Sequence, residues 1–437
     1  MKTTKTFQLT KLALVTGAIL AATSSHAVYN LYKKDGLTLD ISGQIDIQAT
    51  KQDEKLVVQN PTRDAYVGTD DNDETVTLWK WDRVVPAGTK LSATDKKPRL
   101  GQTHGVSYVD FRGSQELPND WRVTGNIGFG YSDARDFYLS NSSLSFDKRN
   151  LGAISLGRQY LHTNFVNRSG TDTPLDIFSG SAVRADYYGI KGLQASAYYS
   201  FAGYNDVTKE NNTEVDSGYG VSASYRFPVA DNQSLRVAAG YTHSNYNPVT
   251  NIPEERWFSN QNTLNRYPQK VDGIAASLEY QAGKFLVAAD VGRKKETMSD
   301  SPNTSLDKRT TDYLGAKVAY DINPVFQVSA GYGSKKAKTK LKAGVAALTD
   351  DANALYNRSD ASDWTDLALF SYVGAGERYL YDKADTKEAY AQLDYRIRPN
   401  VRLYGRYDTE KTTYKVGGQD TSKLTDNNAR IGVVFTF

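Results

Sequence analysis

The chain has 437 residues, 39% of them apolar, with 30 Tyr, 34 Gly, 53 Lys+Arg, 50 Asp+Glu and no Cys. A soluble chain of that length would fold as two or three domains around Leu/Ile/Val-rich cores, which this Tyr- and Gly-heavy composition does not supply. The missing Cys excludes a disulfide framework, a Cys–zinc site and a thiol nucleophile, and no run of about 18 apolar residues provides a membrane-spanning helix.

Residues 1–27 read as a secretory signal peptide. Lys2, Lys5 and Lys11 form a basic start, Leu12 to Ala22 an apolar stretch too short to span a membrane, and Ser25-His26-Ala27 a small-residue cleavage site. Its removal takes away three positive charges and no negative ones, leaving 50 cations against 50 anions in residues 28–437. A neutral chain gives no electrostatic case for a nucleic-acid partner. An exported chain without Cys is expected in the periplasm or the outer membrane.

From residue 37 onward apolar and polar residues alternate, the mark of strands with two unlike faces. In chain order the pattern predicts strands at 37–49, 105–116, 121–131, 137–147, 151–160, 183–192, 193–201 and 218–227. It continues at 234–246, 271–281, 284–295, 310–322, 325–337, 386–397, 400–411 and 429–437, sixteen strands in all. Short turns rich in Pro, Gly, Asn and Asp (Leu117 to Asp120, Lys148 to Asn150, Gln281 to Gly283) alternate with longer polar loops. Those loops lie at 50–104, 132–136, 161–182, 202–217, 247–270, 296–309, 334–386 and 412–428. Lipid cannot satisfy an exposed strand edge, so the sheet must close. The expected fold is all-β: a 16-stranded antiparallel transmembrane β-barrel with short periplasmic turns and long extracellular loops. Tyr131, Tyr225, Tyr280, Tyr320, Tyr395 and Phe437 end apolar faces as interfacial aromatics would.

With the apolar face toward lipid, the other face lines a lumen. It carries Arg112, Arg122, Arg226, Arg236, Lys317, Arg396, Arg402, Arg406 and Arg430, with Asp40, Asp46, Asp110, Glu279, Asp290, Asp321, Asp394 and Asp408. Barrels of about sixteen strands leave an aqueous channel, so most of these groups read as solvated wall.

At the 161–182 loop, following Gly157-Arg158-Gln159, the chain resembles the general diffusion porins of Gram-negative outer membranes. The resemblance runs through Val28-Tyr29-Asn30, Lys34-Asp35-Gly36, Leu39-Asp40-Ile41-Ser42-Gly43, Phe111-Arg112-Gly113-Ser114-Gln115-Glu116 and the C-terminal Phe437. It implies a homotrimer in outer-membrane lipid that passes ions and small hydrophilic solutes, with no cofactor and no metal. It also implies that the third loop folds inward, its acids facing basic residues on the opposite wall. Where the family carries Pro-Glu-Phe-Gly-Gly, this chain has Pro174-Leu175-Asp176-Ile177-Phe178-Ser179-Gly180, so Asp176 is the first counterpart and Asp172 the second. Arg184, just after the loop, and Arg112 are the basic counterparts. Gln44 and Tyr108 stand where the family has a lysine and an arginine, which thins the basic half. Arg158 falls on the outer face by alternation, where lipid would penalise a charge; a subunit contact is expected there. The second loop, which latches subunits in the family, is short, and the first is long and contains Trp79-Lys80-Trp81.

Other functions find less support in the sequence. An enzyme needs a His beside a nucleophile, and His104, His162 and His243 lie far apart in sequence with no such motif. The run Asp70-Asp71-Asn72-Asp73-Glu74 would bind a divalent cation only weakly. A sugar-specific channel would need an aromatic track, for which lumen-facing Tyr108, Tyr198, Tyr390 and Tyr404 are too scattered. Long loops also fit an adhesin or receptor, which is compatible with a pore.

Overall fold

The computed structural model describes residues 28–58, 65–69, 75–80, 90–94, 98–101, 107–132, 136–202, 215–246, 268–298, 306–341, 383–416 and 419–437. The N-terminal half contains β1 (Val28–Lys34), β2 (Leu37–Val58), β3 (Ala65–Thr69), β4 (Thr75–Lys80), β5 (Lys90–Thr94), β6 (Arg99–Gly101), β7 (Ser107–Leu117), β8 (Trp121–Ser132), β9 (Asp136–Lys148), β10 (Gly152–Tyr160) and β11 (Phe178–Tyr187). The remainder is β12 (Leu193–Ser200), β13 (Val215–Ala230), β14 (Gln233–Tyr246), β15 (Pro268–Ala282), β16 (Phe285–Met298), β17 (Leu306–Asp321), β18 (Phe326–Leu341), β19 (Lys383–Arg398), β20 (Val401–Val416) and β21 (Gln419–Thr436).

Each of β7 to β21 pairs antiparallel with the next, β2 pairs with β7, and β21 returns to β2, closing a sixteen-strand ring. Strand β1 lies along β2 from Val28↔Ser42 to Lys34↔Leu37, on the edge that β21 occupies from Gln44↔Thr436 onward. The first and last strands of the chain therefore lie end to end. Strands β5 and β6 line the extracellular half of β2, and β3 pairs with β4 as a separate two-stranded sheet in the first loop. Trp79 lies in β4; Trp81 and the acidic run 70–74 lie outside the described residues.

Polarity is inverted relative to a water-soluble sheet. On β2, Ile45 and Ile47 are 40% and 45% exposed, while the alternating Gln44, Asp46 and Gln48 are 1%, 8% and 4% exposed. That is the pattern of a lipid-facing exterior around a polar lumen. Aromatic pairs mark both rims of the apolar band. Tyr131–Phe137 and Tyr199–Phe201 lie at the loop end; Tyr225–Phe227, stacked Phe326–Tyr395 and Phe435–Phe437 lie at the turn end. Among the described residues, those other than glycine with positive φ are Asp35, Asn119, Asp120, Asn150 and Asn232, all in short turns. Asn and Asp tolerate that left-handed backbone, which tight hairpins need.

Several boundaries differ from the alternation reading, among them β2, which reaches Val58 inside the expected 50–104 loop. The strand expected at 183–192 runs Phe178–Tyr187, because its first residues pair with the end of β10. The expected loop at 412–428 is mostly ladder, with β20 reaching Val416 and β21 starting at Gln419. Strands that rise above the membrane are wet on both faces, so their Lys- and Thr-rich ends lose the apolar alternation that reveals a strand.

Candidate pore constriction

The third loop begins at a distortion in β10. Gly157 takes φ +116 and the register slips between Gly157 and Gln159. A left-handed backbone there would strain any residue with a Cβ. The amide of Gln159 donates to the carbonyls of Ala182 (3.1 Å) and Ser155 (3.3 Å), tying both arms of the loop together. A 3-10 turn, His162–Val166, then turns the chain inward. The N–H of Leu161 donates to the Ile177 carbonyl at 2.9 Å, closing the loop at its base.

The loop lies on the lumen face of β13 to β19. Val166 and Leu175 bury against Ala238 and Ala275, each contributing ~1.5–3 kcal/mol. Four lumen glycines on four successive strands make room for the loop. Gly240 faces Val166 and Leu175, Gly273 and Gly292 face Pro174, and Gly315 faces Ser169 and Thr171. A side chain at any of the four would press into the loop.

Polar contacts fix the rest. Asp290 on β16 accepts the backbone N–H groups of Arg168 (2.9 and 3.0 Å) and Ser169 (2.5 Å). Tyr390 on β19 donates to the Ser169 carbonyl at 3.2 Å. At the base, Arg184 donates to the Tyr160 carbonyl at 2.5 Å and to Asp186 at 3.0 Å, and His162 Nδ1 lies 2.8 Å from Asp186.

The four expected constriction residues therefore occupy different settings. Asp176 is tucked against the wall: Ser244 donates to its carboxylate at 2.5 Å, and its carbonyl accepts from Thr163. Burial pushes the Asp176 carboxyl above the usual carboxylate range, against the opposing pull of Ser244, Lys294 and His243. Asp172 has a side chain 60% exposed to the lumen and pairs with Lys335 of β18 at 2.6 Å. Arg184 sits at the base of the loop, not across from it. Arg112 is an exposed side chain on β7, opposite Asp40 of β2 in register. Arg158 lies at the distortion in β10 with its guanidinium 4.8 Å from the centre of the Phe178 ring.

Beside the loop seat, β20 and β21 carry a second charged group. Its cations include Arg406 and Arg430, which share Asp408: Arg406 Nε donates at 2.6 Å, and Arg430 forms a second ion pair. Arg406 also stacks 4.1 Å over the Tyr390 ring. Alternation placed these groups on the lumen face; their convergence depends on cross-strand register and was not visible in the sequence. Lys335 was missed although it lies in the expected strand 325–337, because its meeting with Asp172 depends on where the loop is seated.

The lumen tyrosines lie flat. Tyr138, Tyr198, Tyr390 and Tyr404 are each registered opposite a glycine (Gly130, Gly220, Gly331, Gly432), with the ring over the space a Cβ would fill. Among the described residues no group of three or more His, Asp or Glu is arranged to hold a metal ion. His243 contacts Asp272 at 2.8 Å, and His104 lies outside the described residues.

The sequence matches the family described as Gram-negative porin over residues 9–434. The chain belongs to the Gram-negative porin family. It is thus a multi-pass β-barrel channel of the outer membrane. Solved porin-like barrels share its fold at low identity. A loop-deletion form of OmpT, an outer membrane protein of Vibrio cholerae, is 16% identical with a TM-score of 0.55, covering 92% of this chain and 100% of that one; OmpT is also known in a trimer form. OmpF of Salmonella typhi, in complex with daunomycin, is 14% identical with a TM-score of 0.50, covering 94% and 100%. The outer membrane channel DcaP of Acinetobacter baumannii is 11% identical with a TM-score of 0.52, covering 93% and 99%. No curated protein matches the chain in sequence.

Proposed function

We propose that this porin is a general diffusion channel for ions and small hydrophilic solutes, rather than a channel built around one substrate. The observation that carries this reading is the state of the lumen aromatics. Four tyrosine rings lie against glycines of the wall, and Arg406 further covers Tyr390. Rings held that way offer no stacking track for a sugar. Charge also faces the lumen: Asp172 with Lys335 on the loop side, and Arg406, Arg430 and Asp408 on the neighbouring strands β20 and β21. Paired charges along a wet lumen select by size and field, not by a binding cycle. In this reading the His162–Asp186 pair is structural, Asp186 also accepting the Ser196 hydroxyl at 2.7 Å.

Three further parts belong to this proposal. Residues 1–27 are cleaved before insertion. The barrel works as a homotrimer, as OmpT is known to form. Arg158, on the outer side of β10 beside Phe178, lies in the subunit contact.

The test is single-channel conductance of the detergent-purified protein in a planar bilayer under a salt gradient. Large steps that close in threes and scale with bulk salt conductivity are expected. Small steps, or a current blocked by one particular sugar, would overturn the reading.

A further inference from the structure

Near the root of the third loop, the lumen wall holds a carboxylate that neither the loop nor the charge pairs use. Asp110 of β7 stands opposite Gly128 of β8, its carboxylate over the space a Cβ of Gly128 would fill. Among the described residues Asp110 makes no hydrogen bond and no ion pair. The cations of the neighbouring strands are engaged elsewhere. Arg112, two residues along β7, lies opposite Asp40 in register, and Arg122 of β8 pairs with Asp147. Arg158 of β10 rests 4.8 Å from the centre of the Phe178 ring.

Three tyrosines surround that carboxylate. Tyr108 lies on the same face of β7, roughly 7 Å along the strand. It stands opposite Gly130, which in turn stands opposite Tyr138 of β9. The Tyr138 ring covers Gly130, so its other face is turned to the lumen. Tyr160 ends β10, and its phenol is within electrostatic reach of both Asp110 and Tyr138. All four residues are half-buried, which leaves the patch open to the lumen on one side.

A negative charge without a cation of its own, set among aromatic rings, selects a positive group. The donor set decides which kind. A calcium ion takes about six to eight oxygen ligands, and among the described residues no group of three or more acids is arranged to hold a metal ion. Potassium or a simple ammonium ion loses strongly held water and gains one carboxylate. A quaternary ammonium group is weakly hydrated and has no N–H to satisfy, so ring faces and a nearby carboxylate meet its whole requirement. We propose that Tyr108, Asp110, Tyr138 and Tyr160 form a subsite for solutes that carry a quaternary ammonium group, its methyl groups against the rings and its charge offset by Asp110. A sugar track needs several ring faces in line along the path. One cluster beside a carboxylate is a different element, and it leaves the pore open to other solutes.

The experiment uses the full-length protein as exported by the cell, purified in a maltoside detergent, which carries no ammonium group. Choline is added, and saturation transfer from the protein to its methyl protons is read by NMR. The neutral analogue 3,3-dimethylbutan-1-ol, in which carbon replaces the nitrogen, is read in parallel, and ammonium chloride serves as competitor. Choline is expected to bind and the neutral analogue to bind about tenfold more weakly or not at all. Asp110→Asn should weaken choline binding about tenfold, and Tyr138→Leu about three- to tenfold. Tyr138→Phe keeps the ring and should stay within about twofold of wild type, which shows that the losses reflect the site and not misfolding. Equal transfer to the neutral analogue, wild-type binding by Asp110→Asn or Tyr138→Leu, or displacement of choline by equimolar ammonium would each overturn the proposal. The signal is read in detergent and needs no current, so a barrel that binds choline but fails the conductance test would retain the subsite and lose only the channel reading.

Discussion

The carboxylate of Asp290 accepts the backbone N–H of Ser169 at 2.5 Å, so one side chain on β16 holds the turn of the third loop inside the barrel. The same carboxylate also takes the N–H of Arg168. Hydrogen bonds to a charged acceptor are worth roughly 1.5–3 kcal/mol each. Asp290→Ala leaves two loop amides seeking partners in the lumen. The expected result is a lower unfolding temperature and more frequent brief closures in single-channel records. An unchanged closure rate would show that the apolar contacts of Val166 and Leu175 hold the loop alone.

Asp172 and Asp176 separate selectivity from anchoring. Asp172 is exposed to the lumen beside Lys335, whereas Asp176 is engaged with Ser244 on β14. Asp172→Asn leaves Lys335 with Glu410, 3.5 Å away, as its remaining ion-pair partner and is expected to move the channel toward anions. A change of about two- to fivefold in the permeability ratio corresponds to ~0.5–1 kcal/mol of pore electrostatics. Asp176→Asn should give a smaller shift in the same direction and a larger loss of thermal stability. Reversal potentials in a salt gradient measure both, and a larger selectivity shift from Asp176→Asn would reverse the assignment.

Asp408 tests the charges on β20 and β21. It serves both Arg406 and Arg430, so Asp408→Asn leaves two guanidinium groups with one fewer counter-charge. The channel should again move toward anions, and raising the salt concentration should shrink the effect as screening shortens the field. A reversal potential that stays at the wild-type value at low salt would place these arginines outside the ion path.

The strand ring was legible because lipid and water impose opposite demands on alternate residues, as Ile45 and Gln44 show. The same physics explains where legibility ended. Above the membrane both faces are wet, so Lys338, Lys383 and Lys415 carry no strand signal, although their backbones continue the ladder. The third loop was recognisable as a loop, but not its seat. Gly240, Gly273, Gly292 and Gly315 lie far apart in sequence and become one surface only through register. Arg184 followed the loop where a wall cation was expected, yet its partner, the Tyr160 carbonyl, is a backbone atom that no side-chain pattern announces.

Gly273 gives a steric test of that seat. A Cβ there would meet the carbonyl oxygen of Pro174, a backbone atom that can yield only if the loop moves. Gly273→Ala is expected to destabilise the barrel by about 1–3 kcal/mol, the usual penalty of overpacking. It should also push the loop toward the opposite wall. Liposome-swelling rates should then fall most steeply for the largest permeant sugars. Uniformly reduced or unchanged rates would mean that the loop does not set the size limit.

The seam between β2 and β21 is where the two ends of the chain meet. Phe437 exchanges hydrogen bonds with Gly43, its carbonyl accepting at 2.7 Å and its N–H donating at 2.9 Å. Val28 is registered opposite Ser42, the neighbouring residue on the same edge. Cleavage after Ala27 would place the new α-ammonium of Val28 beside this pair of hydrogen bonds at the barrel's closing seam. The mature mass should therefore begin at Val28. Removing Phe437 takes away both hydrogen bonds, and is expected to lower the yield of folded barrel and its unfolding temperature. Phe437→Ala keeps both backbone hydrogen bonds and loses only the ring stacked on Phe435, so it should lower the unfolding temperature less. Equal losses from the two variants would show that the ring, not the backbone pair, closes the seam.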